Sequence, residues 1–246
     1  MSQPRKIDLD HIAVVMVRPR HPGNIGAAAR AMKNMGVSDL RLVDPYEFPH
    51  PNADDFAANG VNIVRQATVY ATVAEAVADR VHVFATTART RRWISKPIEI
   101  QDIAPRVATS AEPTAILFGT ERSGLTNEDL EAAEGLLTIP TAEDGTSLNV
   151  AQAVLTTLFA LRQAGTPERP APRKNLASAA QVEHFNQHLF AMLEQVPFFN
   201  PQGSDSVRLS LREIFQRAEL TTREAKILEG VVKAIEYALD HGPQSR

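Results

Sequence analysis

Three short segments of the 246-residue chain combine residue types that could handle an anionic or nucleotide ligand. The first is Arg18 to Met32, RPRHPGNIGAAARAM, directly after a continuous apolar run. Pro22 and Gly23 break the strand, Asn24 is a favourable helix N-cap, and Ala27 to Met35 reads as a helix ending at Gly36. The small residues from Gly26 to Ala29 let its first turn approach a ligand or another backbone closely. Arg30 stands about one and two-thirds turns beyond Asn24, and its fork of donors suits a phosphate. A dinucleotide fingerprint would need G-x-G-x-x-G here; Asp44 could supply its acid, but Gly23 and Gly26 are three apart and the fingerprint fails. A tight strand-to-helix connection with a solvated Arg30 fits the segment equally well.

The second segment, Phe118 to Leu130, is FGTERSGLTNEDL. Gly119 and Gly124 are spaced as in a P-loop, but Leu125 stands where Lys is required, so no point charge is available for the β/γ-phosphates and NTPase chemistry has little support. Thr126 and Asp129 resemble a capping box and predict a helix start. Capping leaves Gly119, Glu121 and Gly124 unexplained, and a loop leaving the carboxyl end of a strand is where open α/β sheets bind ligands. The third segment, Ile139 to Val154, is IPTAEDGTSLNVAQAV, in which Thr146 or Ser147 can cap the following helix and Asn149 adds amide donors and an acceptor.

A fourth segment is basic. No acidic residue occurs between Asp79 and Glu99, whereas Arg80, Arg89, Arg91, Arg92 and Lys96 do, beside the lone Trp93. Guanidinium for phosphate and an indole face for stacking are what single-stranded RNA contacts use; a solvated loop with a half-buried Trp is the plainer alternative. Two other signals fail. His184 and His188 are four apart on a helix, but HFNQH lacks the Glu of H-E-x-x-H and has no third ligand, so no metal site is expected. Ser123 and Ser147 are not in G-x-S-x-G, so serine hydrolase chemistry has no support.

The elements that must hold these loops alternate. Apolar, β-branched runs at Ile12 to Val17, Leu40 to Val43, Ala67 to Tyr70, Val81 to Thr86, Thr114 to Phe118 and Leu136 to Ile139 are separated by helical patterns, including Thr72 to Asp79, and lack in-out alternation. That predicts an α/β domain with a parallel sheet covered on both faces. A long helix runs from about Leu148 to Ala164. GTPERPAPRKN then reads as a linker, and Ala179 to Gln195, Ser206 to Ala218 and Thr221 to Leu239 read as helices, the last with Ile227, Val231, Ile235 and Leu239 at helical spacing. The expected organisation is a domain over 1–164, a linker over 165–178 and a small all-helical extension over 179–246.

Composition sets outer limits. Hydrophobic residues are 43% and Gly is 12 of 246, which together make about 48%, within the usual range for a globular chain. Cys is absent, which excludes disulfides, thiolate metal sites and a Cys nucleophile. The charged N-terminus and the lack of an apolar run of about 20 residues speak against a signal peptide and a membrane span, so a cytoplasmic location is expected. The net charge of −3 and pI of about 6.2 do not announce a nucleic-acid binder.

Together, N-x-G-A-x-A-R (Asn24 to Arg30), F-G-x-E-x-x-G-L (Phe118 to Leu125) and S-L-N-x-A (Ser147 to Ala151) resemble, in order and spacing, the three motifs of the SpoU branch of SPOUT RNA 2′-O-methyltransferases. The chain length, TTART at the fourth strand and the helical extension look most like the TrmJ-type enzymes acting on cytidine or uridine 32 of tRNA. The resemblance implies a C-terminal trefoil knot in the sheet domain, a homodimer with the active site at its interface, and S-adenosyl-L-methionine held by Thr86, Thr87, Ala88, Gly119, Ile139, Thr146, Ser147, Leu148 and Asn149. It implies catalytic roles for Asn24, Arg30, Glu121, Ser147 and Asn149, RNA contacts by Arg89, Arg91 and Arg92, and a tRNA-gripping role for the helical extension. Action on rRNA or another tRNA position, or an RNA-binding homologue without catalysis, are the alternatives it leaves.

Overall fold

The computed structural model describes residues 8–87, 97–110, 112–120, 123–142, 145, 147–165, 175–199 and 204–241. The chain divides into two compact units, Met1–Arg173 and Lys174–Arg246.

The first unit is built on a seven-stranded sheet ordered β3-β2-β1-β6-β4-β7-β5, with every pairing parallel. Its strands are β1 (Ile12–Val17), β2 (Asp39–Val43), β3 (Thr68–Tyr70), β4 (His82–Thr86), β5 (Ile98–Glu99), β6 (Thr114–Phe118) and β7 (Gly135–Thr138). Strand β1 lies inside the sheet between β2 and β6, and all six of its residues are buried. That is why IAVVMV is apolar without a break: both faces of the strand are covered. On one face Ile12, Val14, Met16, Ile116 and Phe118 share a core with Ile25, Ala28 and Met32 of α1 (Pro22–Met35), Ile103 and Val107 of α5 (Ile100–Thr109), and Val154, Leu158 and Leu161 of α7 (Val150–Ala164). Helices α2 (Pro51–Ala57), α3 (Val61–Gln66), α4 (Val73–Val77) and α6 (Asn127–Leu130) complete the unit, with one 3-10 turn at Ala58–Gly60.

Six of the seven strands fall where the apolar runs predict, within a residue; β5, two exposed residues at the sheet edge, matches no predicted run. Helix α1 departs as well: it begins at Pro22, with His21 as N-cap, so Asn24 is its third residue and not its cap. Proline is pre-organised for the first helical position and loses no bond there, so it starts this helix, the strand having already ended at Val17. The close approach that Gly26 permits is to another backbone: a Cβ there would stand 2.1 Å from the Ala53 carbonyl oxygen of α2. Helix α5 was hidden from pattern reading by Pro105 in its interior. Burial of Ile100, Ile103, Ala104, Val107 and Ala108 offsets the lost backbone bond.

The second unit contains α8 (Ala179–Glu194), α9 (Ser204–Arg217) and α10 (Thr222–His241). Ser178 and Gln181 form a capping box at the start of α8, and Phe185 meets Phe215 edge to face with centroids 4.7 Å apart. Helix α10 buries Ala225 and Val232, whereas Ile227, Val231, Ile235 and Leu239, whose spacing announces the helix, are 41–54% exposed. The imidazole of His188 lies between Glu229 (Nδ1 to Oε1 2.6 Å) and Glu236 (Nε2 to Oε2 2.9 Å), and His184 also faces Glu229 at 3.5 Å. The pair HFNQH therefore serves an α8 to α10 ion cluster, and among the described residues no group of three or more His, Asp or Glu is placed to hold a metal ion. Among them, too, no helix is long and apolar enough to cross a membrane.

Gly26→Ala should destabilise the protein despite alanine's better helix propensity. Overpacking costs of about 1–3 kcal/mol and about 2–4 °C per kcal/mol for a chain of this size imply a melting temperature lower by roughly 2–12 °C, measured by circular dichroism.

The hydrogen bond to Glu229, helped by the charges of Glu229 and Glu236, holds the His188 pKa above its usual 6.5. A folded-state pKa above the unfolded one stabilises fully below about 6.5 and loses that contribution as pH rises through the raised value. Urea midpoints of the wild type and His188→Gln should therefore differ at pH 6 and converge at pH 9; a gap that does not vary with pH would contradict the assignment.

Candidate functional site

All loops that follow the strands of a parallel sheet emerge at one edge. Because β1, β6, β4 and β7 are consecutive in the sheet, the segments after them stand side by side. They carry, in that order, Asn24, Gly119, Thr86 with Thr87, and Ile139. Thr86, the last residue of β4, donates from Oγ1 to the Leu117 carbonyl of β6 at 2.9 Å, and the Thr87 amide donates to the Leu137 carbonyl of β7 at 2.8 Å. The two threonines thus tie the end of β4 to both neighbours.

The loop after β6 folds on itself. The Gly124 amide donates to the Thr120 carbonyl at 2.8 Å, and the Thr120 and Ser123 hydroxyls are 2.7 Å apart. A Cβ at position 119 would stand 2.4 Å from the Gly124 carbonyl carbon, so glycine at 119 is demanded by its own loop before any ligand is considered. The loop closes on α6 through the capping box the sequence indicates: Thr126 Oγ1 accepts from the Asp129 amide at 3.2 Å, and Asp129 Oδ2 accepts from the Thr126 amide at 2.6 Å. Asp129 also accepts from Arg18, the residue that follows β1. Burial pushes the Asp129 carboxyl up, but the hydrogen bonds from Arg18 and Thr126 outweigh it and hold the pKa below the usual carboxylate range.

Helix α7 is capped by Asn149 and not by Ser147, while Thr146 lies outside the described residues. Its Oδ1 accepts from the Ala151 amide at 2.9 Å, while Gln152 Oε1 accepts from the Asn149 amide at 3.2 Å. A cap with a side-chain amide keeps its NH2 free for a second task. Here Asn149 Nδ2 donates to Asn24 Oδ1 at 3.1 Å, which joins segments 125 residues apart in sequence. Arg30 is exposed on α1, Ser147 is exposed, and Ile139 and Leu148 are half-buried. Ala88, Arg89, Arg91, Arg92, Glu121 and Thr146 lie outside the described residues. Sequence reasoning missed Arg18: nothing local marks an arginine after a strand as the partner of an aspartate 111 residues away.

The edge so built has one amide-paired junction (Asn24 with Asn149), a glycine-lined turn, threonine-tied backbone and an exposed guanidinium. Residues 11–159 match the model of the SpoU rRNA methylase family, and residues 180–244 match the tRNA methyltransferase TrmJ C-terminal domain. The chain belongs to the SpoU methylase family. As a member it is a methyltransferase, and its relatives match along nearly its whole length. The tRNA (cytidine/uridine-2′-O-)-methyltransferase TrmJ of Pectobacterium atrosepticum is 35% identical over 241 residues, 94% of this chain and 99% of that one. The crystal structure of TrmJ from Z. mobilis ZM4 is 35% identical, with a TM-score of 0.81 over 91% of this chain and 98% of that one. The SpoU methyltransferase AviRb from Streptomyces viridochromogenes, solved in complex with the cofactor AdoMet, shares the fold at 20% identity and a TM-score of 0.50, over 65% of this chain and 62% of that one.

Replacing Asn149 with Ala in this SpoU methylase removes the helix cap and the amide bridge together and should cost about 1–2 kcal/mol in urea unfolding, whereas Asn149→Asp, which keeps the cap, should recover most of that stability.

Proposed function

We propose that this chain transfers a methyl group from S-adenosyl-L-methionine to a ribose 2′-hydroxyl of tRNA, at cytidine or uridine 32 of the anticodon loop. The observation that carries this reading is the Asn24 to Asn149 bridge, which sets the first and third motifs together at the edge where the β6 loop carries the second. Whole-length similarity to enzymes named for cytidine and uridine 2′-O-methylation of tRNA supports the substrate.

The residues present fit the cofactor. Gly124 has open space where a side chain would stand, and Thr86, Thr87, Gly119 and Ile139 stand at the ends of three adjacent strands, where backbone groups rather than charged side chains would receive a nucleoside. Ala88, Thr146, Ser147, Leu148 and Asn149 would complete the holding set. When bound, the sulfonium supplies an electrophilic methyl group and departs as a neutral thioether.

The protein's part is alignment, charge stabilisation and a route for the hydroxyl proton. Arg30 is not the base: a guanidinium is five donors with no acceptor for a proton. It clamps the phosphate next to the target ribose and stabilises the developing oxyanion, while a phosphate oxygen or water takes the proton. Asn24, Ser147, Asn149 and Glu121 orient the acceptor. Arg89, Arg91 and Arg92 bind RNA phosphates.

We further assign residues 1–164 to catalysis, 165–178 to a linker and 179–246 to tRNA binding. Linker and extension together, residues 165–246, carry ten basic and ten acidic residues, so the grip rests on shape more than on net charge. Leu155 and Phe159 of α7, 40% and 51% exposed on the helix that Asn149 caps, supply an apolar face for a homodimer beside the site. The protein works in the cytoplasm, where its substrate is.

Total tRNA incubated with the protein and cofactor should yield 2′-O-methylcytidine or 2′-O-methyluridine on nucleoside mass spectrometry, absent when nucleotide 32 is 2′-deoxy; label confined to rRNA would move the substrate. Arg30→Lys, which keeps the charge and loses the fork, should slow single-turnover transfer about 100-fold.

A further inference from the structure

Arg18 stands at a structural junction that the motifs do not include. It follows β1 with a φ of 49°, a left-handed conformation that a non-glycine residue adopts only when its surroundings hold it there. Its amide is fixed to the Val43 carbonyl at 2.7 Å, and the next residue, Pro19, accepts from the Tyr46 amide at 3.0 Å. The root of the first-motif segment is thereby pinned to the end of β2.

The other partner lies past the second motif. The Asp129 side chain is 5% exposed, so its charge requires compensation, and Arg18, 38% exposed, provides it together with the Thr126 amide. Thr126 and Asp129 terminate the loop that begins at Gly119, and that loop leaves β6, whose Phe118 pairs with Met16 of β1. The ion pair is therefore a strap between the two loops that diverge from adjacent strands. A buried ion pair contributes little net stability relative to an apolar pair but specifies one geometry, since removing one partner leaves the other charge stranded.

We propose that Arg18 is a positioning residue for methyl transfer: by clamping Asp129 it fixes the Gly119 to Thr126 loop relative to the segment bearing Asn24 and Arg30, and so sets the alignment of methyl donor and ribose acceptor. This rests on the assignment of the β6 loop to the donor and of Asn24 and Arg30 to the acceptor. A brace of this kind acts on the rate of the bound complex, because a shift of about 1 Å between reactants can cost on the order of 100-fold.

The test is a double-mutant cycle in single-turnover transfer to tRNA with the full chain. Arg18→Met and Asp129→Asn should each slow transfer about 30-fold, the double variant should be no slower than either, and the dissociation constant for S-adenosyl-L-methionine should change less than about 3-fold. Arg18→Lys should recover part of the rate. Wild-type rates in Arg18→Met, multiplicative losses in the double variant, or a loss explained wholly by weaker cofactor binding would each overturn the proposal. If the wild type methylates no RNA, the functional reading fails by itself. The brace is then judged by amide hydrogen exchange over residues 119–126: faster exchange in Arg18→Met supports it, and unchanged exchange overturns it.

Discussion

Everything at the site depends on the sheet being parallel throughout. In a parallel sheet each strand must be followed by a crossover, so every loop after a strand exits at the same edge, and loops distant in sequence become neighbours when their strands do. The order β1-β6-β4-β7 does this for four segments that span about half the chain. The same constraint explains the sequence of the two central strands, β1 and β6. With both faces covered, IAVVMV and TAILF carry no polar residue beyond the Thr that opens β6, and that Thr114 is buried with its hydroxyl bonded to the Glu112 carbonyl at 3.0 Å.

What the sequence made legible follows from that arrangement. Long apolar runs need no tertiary information to be read as inner strands, and the Thr126 to Asp129 box is local chemistry visible over four residues. The failures have physical causes as well. Pro22 reads as a breaker in isolation but sits at the first position of α1, where its fixed φ pre-organises the helix, while β1 has already ended at Val17. Helix α5 hides behind Pro105, whose penalty is met by burial of one face, a tertiary fact. The cap of α7 falls on Asn149 rather than an earlier hydroxyl because Asn149 can cap and still offer an NH2 group to Asn24, a partner no window around residue 149 contains. Arg18 was invisible for the same reason.

Glycine shows how a correct residue can be assigned for an incomplete reason. Position 119 tolerates no side chain because the loop's own backbone returns to it at Gly124, and position 26 because α2 passes across it at Ala53. In both cases packing of the free protein already demands glycine. A glycine in a motif is therefore evidence of a close approach, and which surface approaches has to be taken from the fold.

The ties between loops are of a different strength from the ties within them. Each loop is shaped by its own short backbone and hydroxyl bonds, whereas the side-chain ties among the described residues that join the first-motif segment to the other two include a solvent-facing amide bridge and an ion pair between a partly exposed and a buried group. An exposed amide bridge is worth about 0.5–1.5 kcal/mol, a free energy that thermal motion breaks often. Segments that are individually rigid but weakly coupled keep their local geometry while their spacing adjusts by small amounts. A ligand that touches all of them then adds the missing cross-links, and binding orders the distances between loops rather than the loops themselves. For a transfer whose rate depends on the separation of two reacting atoms, that places the sensitive variable in the few contacts that cross from one loop to the next.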